Sequence, residues 1–250
     1  MMQALAANIK FVAFTPPGPP LRDASALWTQ MVGSAPQSFQ TLMPPPGAPP
    51  IPGSIAQGAL NSGQGALQVQ FGRIEFTISP HDPGNPAVLP TLTSLESGLY
   101  DGLTAIKKFG QLAIRIGLMI EAYAQCESEE AANELVAADI PALSNIPTDA
   151  LDLSFSINRR VKHGAIEINR IARWTTGSAQ FVQFQMTPGH SAGSAYSMSQ
   201  LHFAQLSADV NTVPLQGGLP LPLQEIDNLW EALAREARGV LSDGYAYVVR

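Results

Sequence analysis

Cysteine is almost absent from this 250-residue chain: Cys126 stands alone. An intrachain disulfide is therefore excluded, and so is a cysteine-based zinc site. Charge is scarce too, at 14% of residues against about 25% in ordinary soluble domains. A surface this poor in charge suggests cover by a partner or a second copy. The formal net charge is −6. A general coat for nucleic acid is not expected of an acidic body, because phosphate binding needs a basic surface.

Histidine is limited to His81, His163, His190 and His202. None forms a His-x-x-x-His or Glu-x-x-His pair, and "HDPGNP" (81–86) reads as a turn. No metal and no cofactor is expected. Glycine patterns for phosphate are missing as well: no Gly-x-x-x-x-Gly-Lys-Ser/Thr and no Gly-x-Gly-x-x-Gly follows a strand. Long apolar runs are lacking. "QLAIRIGLMIEAYA" (111–124) carries Arg115 and Glu121 and falls short of the ~20 residues of a membrane span. "MMQALAANIKFVAF" has no basic residue before its apolar part, so no secretory signal is expected, and the reading is cytoplasmic.

What is present is patterned. "NIKFVAF" (8–14) reads as a strand. Asp23 caps a helix over 24–32, with Leu27, Trp28 and Met31 on one face. The proline-rich stretch 36–53 reads as an extended loop. Residues 54–79 read as a hairpin turning at Asn61-Ser62-Gly63, with a bulge expected at Gly72, where the alternation slips by one residue. A helix spans 93–109, with Thr93 and Glu96 at capping-box spacing. A strand follows over 111–124, and Ser128 starts an acidic helix. This half, 1–140, has the ferredoxin-like order of strand, helix, strand, strand, helix, strand.

The second half, 149–250, reads as a four-strand meander closed by a helix over 223–242. Its strands are 149–161, the return from Ile166, 179–186 and 196–213. The fold class expected is α+β, with antiparallel sheets and helices mainly on one face. Two domains meeting near 140–148 and one continuous sheet both fit the pattern.

Two stretches carry candidate chemistry. "SINRRVKHGAIEINRIARWTTG" (156–177) holds five of the chain's 14 Lys and Arg. They are Arg159, Arg160, Lys162, Arg170 and Arg173, with Trp174 beside the last. Ile-Asn-Arg occurs twice, so Arg159 and Arg170 each end an apolar row. Two convergent guanidiniums there would form a fork for carboxylate or phosphate. The plainer reading pairs them with Glu167, Asp152 or a helix carboxylate and leaves the other charges as a solvated face. Trp174 would stack a base or a peptide side chain, or else fill the core. The second stretch, "GHSAG" (189–193), matches the nucleophile elbow of serine hydrolases at Ser191. The only His after it is His202, and no Asp or Glu lies between them. A Gly/Ser-rich loop explains the five residues without catalysis.

"FGRIEFTISP" (71–80), "FSINRRV" with "INRIARWTTG" (168–177), and "ADVNT" (208–212) ahead of a C-terminal helix resemble a sporadically distributed, uncharacterised bacterial family of proteins of about 250 residues. The resemblance implies an accessory role in a mobile-element or conflict system and supplies no catalytic residues. The leading expectation is a non-enzymatic interaction or assembly protein that self-associates or joins a larger complex. The alternative is binding of nucleic acid or another polyanion through the Arg-rich hairpin 156–177. The third is a serine hydrolase at Ser191.

Overall fold

Period-two alternation of apolar residues runs through the long strands, and it places their side chains on two distinct faces. The computed structural model describes residues 4–17, 23–43, 53–81, 88–110, 112–145, 147, 150, 152–185 and 195–250, and only the backbone at 181–185 and 195–199. The elements are β1 (Leu5–Phe14), α1 (Ala24–Val32), β2 (Ser38–Leu42), β3 (Gly53–Ala59), β4 (Gln64–Gln70), β5 (Arg73–Ser79) and α2 (Leu95–Lys107). They continue with β6 (Arg115–Cys126), α3 (Glu129–Asp139), β7 (Ser154–His163), β8 (Ile166–Gln185), β9 (Ala195–Thr212) and α4 (Ile226–Val249). All nine strands join one sheet in the order β2-β3-β4-β5-β1-β6-β9-β8-β7, and every pairing is antiparallel.

One row of directly paired residues crosses the whole sheet. It runs Phe39, Ala56, Leu67, Phe76, Phe11, Leu118, Val210, Arg170, Arg159. The six residues from Ala56 to Val210 are fully buried. The helices explain that burial, because they cover this face. Trp28 of α1 meets Phe76 edge-on with ring centroids 6.0 Å apart, and Trp230 of α4 meets Phe11 in the same way at 5.8 Å. In α2, Gly98 and Gly102 let the helix backbone lie directly on Ile9 and Phe11. α3 joins the same face through Asn133, which accepts from the Thr176 hydroxyl at 2.9 Å. The opposite face of the sheet is covered by no described helix.

The α+β class with helices on one face agrees with the pattern in the sequence. The strand order does not show the ferredoxin-like arrangement expected of the first half. Three further elements differ from expectation. The slip at Gly72 is a two-residue turn rather than a bulge: Gln70 pairs with Arg73, and Gly72 takes φ +66°. Val69 and Ile74 then face each other across the new hairpin. The expected four-strand meander has three strands, because β8 runs unbroken from 166 to 185. Gly177 breaks nothing there; its missing side chain leaves room for the Phe203 ring. Finally, part of the proline-rich stretch is strand β2, paired along its length with β3. Its residues 44–52 lie outside the described residues.

Helix boundaries follow their caps. Ser94, not Thr93, caps α2, accepting from the Ser97 N–H. Asp23 and Ser128 cap α1 and α3 as expected. α4 starts later and runs further than the 223–242 expected, and it changes direction at Gly244 (φ +54°, ψ −133°).

The contact of α2 with Phe11 sets two effects against each other. Alanine is better than glycine in a helix by about 1 kcal/mol. A Cβ at position 102, however, would lie 2.1 Å from the Phe11 ring. Overpacking costs about 1–3 kcal/mol, so Gly102→Ala is expected to destabilise the protein, with urea unfolding as the check. A gain in stability would show that α2 is free to lift off β1.

Candidate functional site

The Arg-rich hairpin is β7 and the first half of β8, in register Arg159↔Arg170. That register divides its cations between the two faces. Arg159 and Arg170 end the buried row described above. Arg160, Lys162 and Arg173 project from the opposite, open face.

Arg170 is only 7% exposed. Its Nε and Nη2 donate to Glu236 Oε2 at 2.9 and 2.5 Å, and its Nη1 donates to the Tyr247 carbonyl at 2.9 Å. The guanidinium also lies 4.3 Å from the centre of the Tyr247 ring. Tyr247 completes the set by donating its hydroxyl to Glu236 at 3.2 Å. Burial and the Glu236 carboxylate push the Tyr247 phenol above its ordinary value. Arg159 donates to the Val249 carbonyl. The bend at Gly244 makes this possible, because it carries the last turn of α4 back onto β7 and β8. A side chain at Gly244 would strike the Asp139 carboxylate at 2.3 Å, and that carboxylate accepts from Trp174 Nε1 at 2.9 Å. Trp174 is fully buried and offers no face to a base. Arg159, Arg170 and Trp174 thus fasten α3 and α4 to the sheet. Arg170 has the helix carboxylate that the plainer reading assigned to it.

On the open face, Arg160 donates to Asn169 at 3.2 Å and lies 3.4 Å from Glu167. Asn169 donates to Asn211, which also accepts from Arg115 and itself donates to Asp209. Among the described residues, Lys162 and Arg173 make no ion pair. Across the sheet this face carries Lys10, Arg73, Arg115, Arg160, Lys162 and Arg173 against Glu75, Glu121, Glu167 and Asp209, six cations to four carboxylates. It is mildly basic on a chain of net charge −6.

A different region was missed by attention to motifs. From Ala24 to Gly72 the chain has no Asp, Glu, Lys or Arg, a run of 49 residues. The run contains α1 and strands β2, β3 and β4, so one wing of the sheet is uncharged on both faces. Trp28 holds it together. A Cβ at Gly58 or Gly65 would fall 2.7 or 2.8 Å from the Trp28 ring, so both glycines let the indole sit on the sheet. The outer strand of the wing, β2, is exposed: Phe39 is 45% accessible and the adjoining Met43 84%. The gap in charge was visible in the sequence. Its meaning depended on β2 being the edge of the sheet, which no local pattern shows.

No family model matches this chain, and no curated protein or solved structure matches it either. The described residues contain no cluster of three His, Cys, Asp or Glu able to hold a metal. None of their helices is long and apolar enough to cross a membrane. Ser191 and the whole of 189–193 lie outside the described residues. The surface groove between α2 and α4 has charged walls that are paired to each other, Lys107 to Glu231 at 2.6 Å and Arg238 to Glu96 at 2.8 Å.

The two faces of the hairpin should respond differently to mutation. Glu236→Ala leaves the Arg170 charge buried without its carboxylate, a loss of about 3–5 kcal/mol. Arg160→Ala breaks an exposed pair, a loss of about 0–1 kcal/mol. Chemical denaturation of the two variants checks the contrast, and equal losses would contradict the division of the cations. A pH effect follows from Tyr247. Its phenol is raised in the folded state, so the stability tied to its neutral form is present below the ordinary value of 10.0 and is lost as pH rises through the folded value. Tyr247→Phe should flatten the alkaline fall of the melting temperature.

Proposed function

We propose that this is a non-enzymatic, cytoplasmic protein-interaction or assembly component. The observation that carries this reading is the uncharged wing, residues 24–72, ending in an edge strand with exposed apolar side chains. Interface cores are depleted of charge, because burying charge costs desolvation energy. A solvated surface gains nothing from such a run, whereas a covered one does. Among the described residues, the nine-strand sheet adds a face that no helix covers and a β2 edge that no strand pairs, both suited to a partner. An accessory role in a mobile-element or conflict system remains part of the proposal, through the family resemblance alone.

A second reading has its own support. Arg160, Lys162 and Arg173 share the open face with Arg115, Arg73 and Lys10, which suits a phosphate backbone laid across the strands. Arg159 and Arg170, occupied by α4, take no part in it.

Affinity capture from the native host, with and without nuclease, separates the two. The expected result is a stoichiometric protein species, the chain itself included, that survives nuclease. Recovery of nucleic acid, or loss of all partners with nuclease, would move the function to the open face. Arg160→Ala/Lys162→Ala/Arg173→Ala should then weaken binding to a single-stranded oligonucleotide and reduce its salt dependence.

A further inference from the structure

The two edges of the sheet are built differently. Unpaired edges are templates for another strand, and natural proteins blunt them with charge, proline or a bulge. β7 follows that rule, with Arg159, Arg160 and Lys162 in its ten residues. β2 does not. Its sequence, SFQTL, has no charge and no proline, and four of its five residues are exposed. The buried row crossing the sheet ends there at Phe39, and Phe39 stays 45% accessible.

We infer that β2 pairs antiparallel with β2 of a second copy of this chain, about a twofold axis through Gln40, so that two sheets join into one. The inference rests on the interaction reading above and names the partner. Gln40 is the middle residue of β2, so this axis engages the whole strand. Ser38 then faces Leu42 of the second copy, Phe39 faces Thr41, and Gln40 faces Gln40. No charge meets another at any position. Aromatic against β-branched pairs are favourable in antiparallel ladders.

Charge also selects the second copy as occupant. Each chain has net charge −6, all of it outside residues 24–72. Two copies therefore repel each other least when they meet through this wing. The twofold arrangement uses the same strand on both sides and closes on itself. Pairing β2 with β7 of another copy would run on into a filament, and the cations of β7 oppose that contact.

Sedimentation velocity of the full chain and of Gln40→Lys is the test, with the melting temperature as control for folding. The wild type is expected to dimerise. Gln40→Lys sets two ammonium groups against each other on the axis, and should raise the dissociation constant at least tenfold at an unchanged melting temperature. A second variant gives geometry. Directly opposed residues in an antiparallel pair have Cα atoms about 4.5–5.5 Å apart, within the range of about 4.4–6.8 Å for a disulfide. Gln40→Cys in a Cys126→Ser background should form a disulfide-linked dimer on oxidation, and Arg160→Cys in that background should not. A dimer that persists in Gln40→Lys, with no link at position 40, overturns the β2 pairing and leaves the interaction reading standing. A monomer that holds a different protein stoichiometrically does the same. A monomer with no partner overturns both.

Discussion

The structure depends on giving a nine-strand antiparallel sheet a dry side. A sheet this wide exposes two broad faces, and the four described α-helices cover only one. The row from Phe39 to Arg159 shows how the cover is organised. Its centre, from Ala56 to Val210, is fully buried beneath α1, α2 and α4. Its ends lie where the helices run out. At β8 the row changes from aliphatic side chains to Arg170, whose charge is neutralised by Glu236 from the last helix. At β2 the row simply stops with an exposed phenylalanine. One end is finished with an ion pair, and the other is unfinished.

Three tryptophans anchor the cover, each by a different device. Trp28 of α1 sits over Gly58 and Gly65, where missing side chains make a seat for the indole. Trp230 of α4 meets Phe11 edge-on, the geometry favoured by the ring quadrupoles. Trp174 belongs to the sheet and reaches outward, donating to Asp139 at the end of α3. That carboxylate also borders Gly244, the bend that returns α4 to Arg159 and Arg170. The Arg-rich hairpin and the C-terminal helix are thereby one mechanical unit. Two of the five hairpin cations are structural for that reason, and only Arg160, Lys162 and Arg173 remain for a ligand.

How much was legible follows from the range of each signal. Alternation and capping are local, so β1, β6, α1 and α3 could be placed from the order of neighbouring residues alone. Asp23 and Ser128 act on N–H groups three residues away. Strand order is not local. The strand order does not show the expected ferredoxin-like half, because β2 and β3 are added to it between α1 and β4, and nothing in residues 38–42 reveals that a polar five-residue stretch adds an edge to β3. The slip at Gly72 was visible, but a bulge and a tight turn both shift the alternation by one. The division of Arg159 from Arg160 follows from parity within β7. The carboxylate awaiting Arg170 lies 66 residues further on, and only the fold brings it there.

The absence of charge from Ala24 to Gly72 has consequences for the unpartnered chain as well. Net charge keeps acidic proteins apart in solution, but the protection is local, because screening confines it to about 10 Å at 0.1 M salt. The edge strand β2 lies at one end of the sheet order, with β3 and β4 between it and the first charged strand, β5, which carries Arg73 and Glu75. An exposed, uncharged edge strand left open invites unlimited strand addition. A closed twofold pairing satisfies that edge once. Of the two edges among the described strands, the basic β7 is the less suited to adding a further strand. Low charge belongs to the sequence, the unblunted β2 and the guarded β7 belong to the fold, and the proposed single occupant of the β2 edge would account for all three.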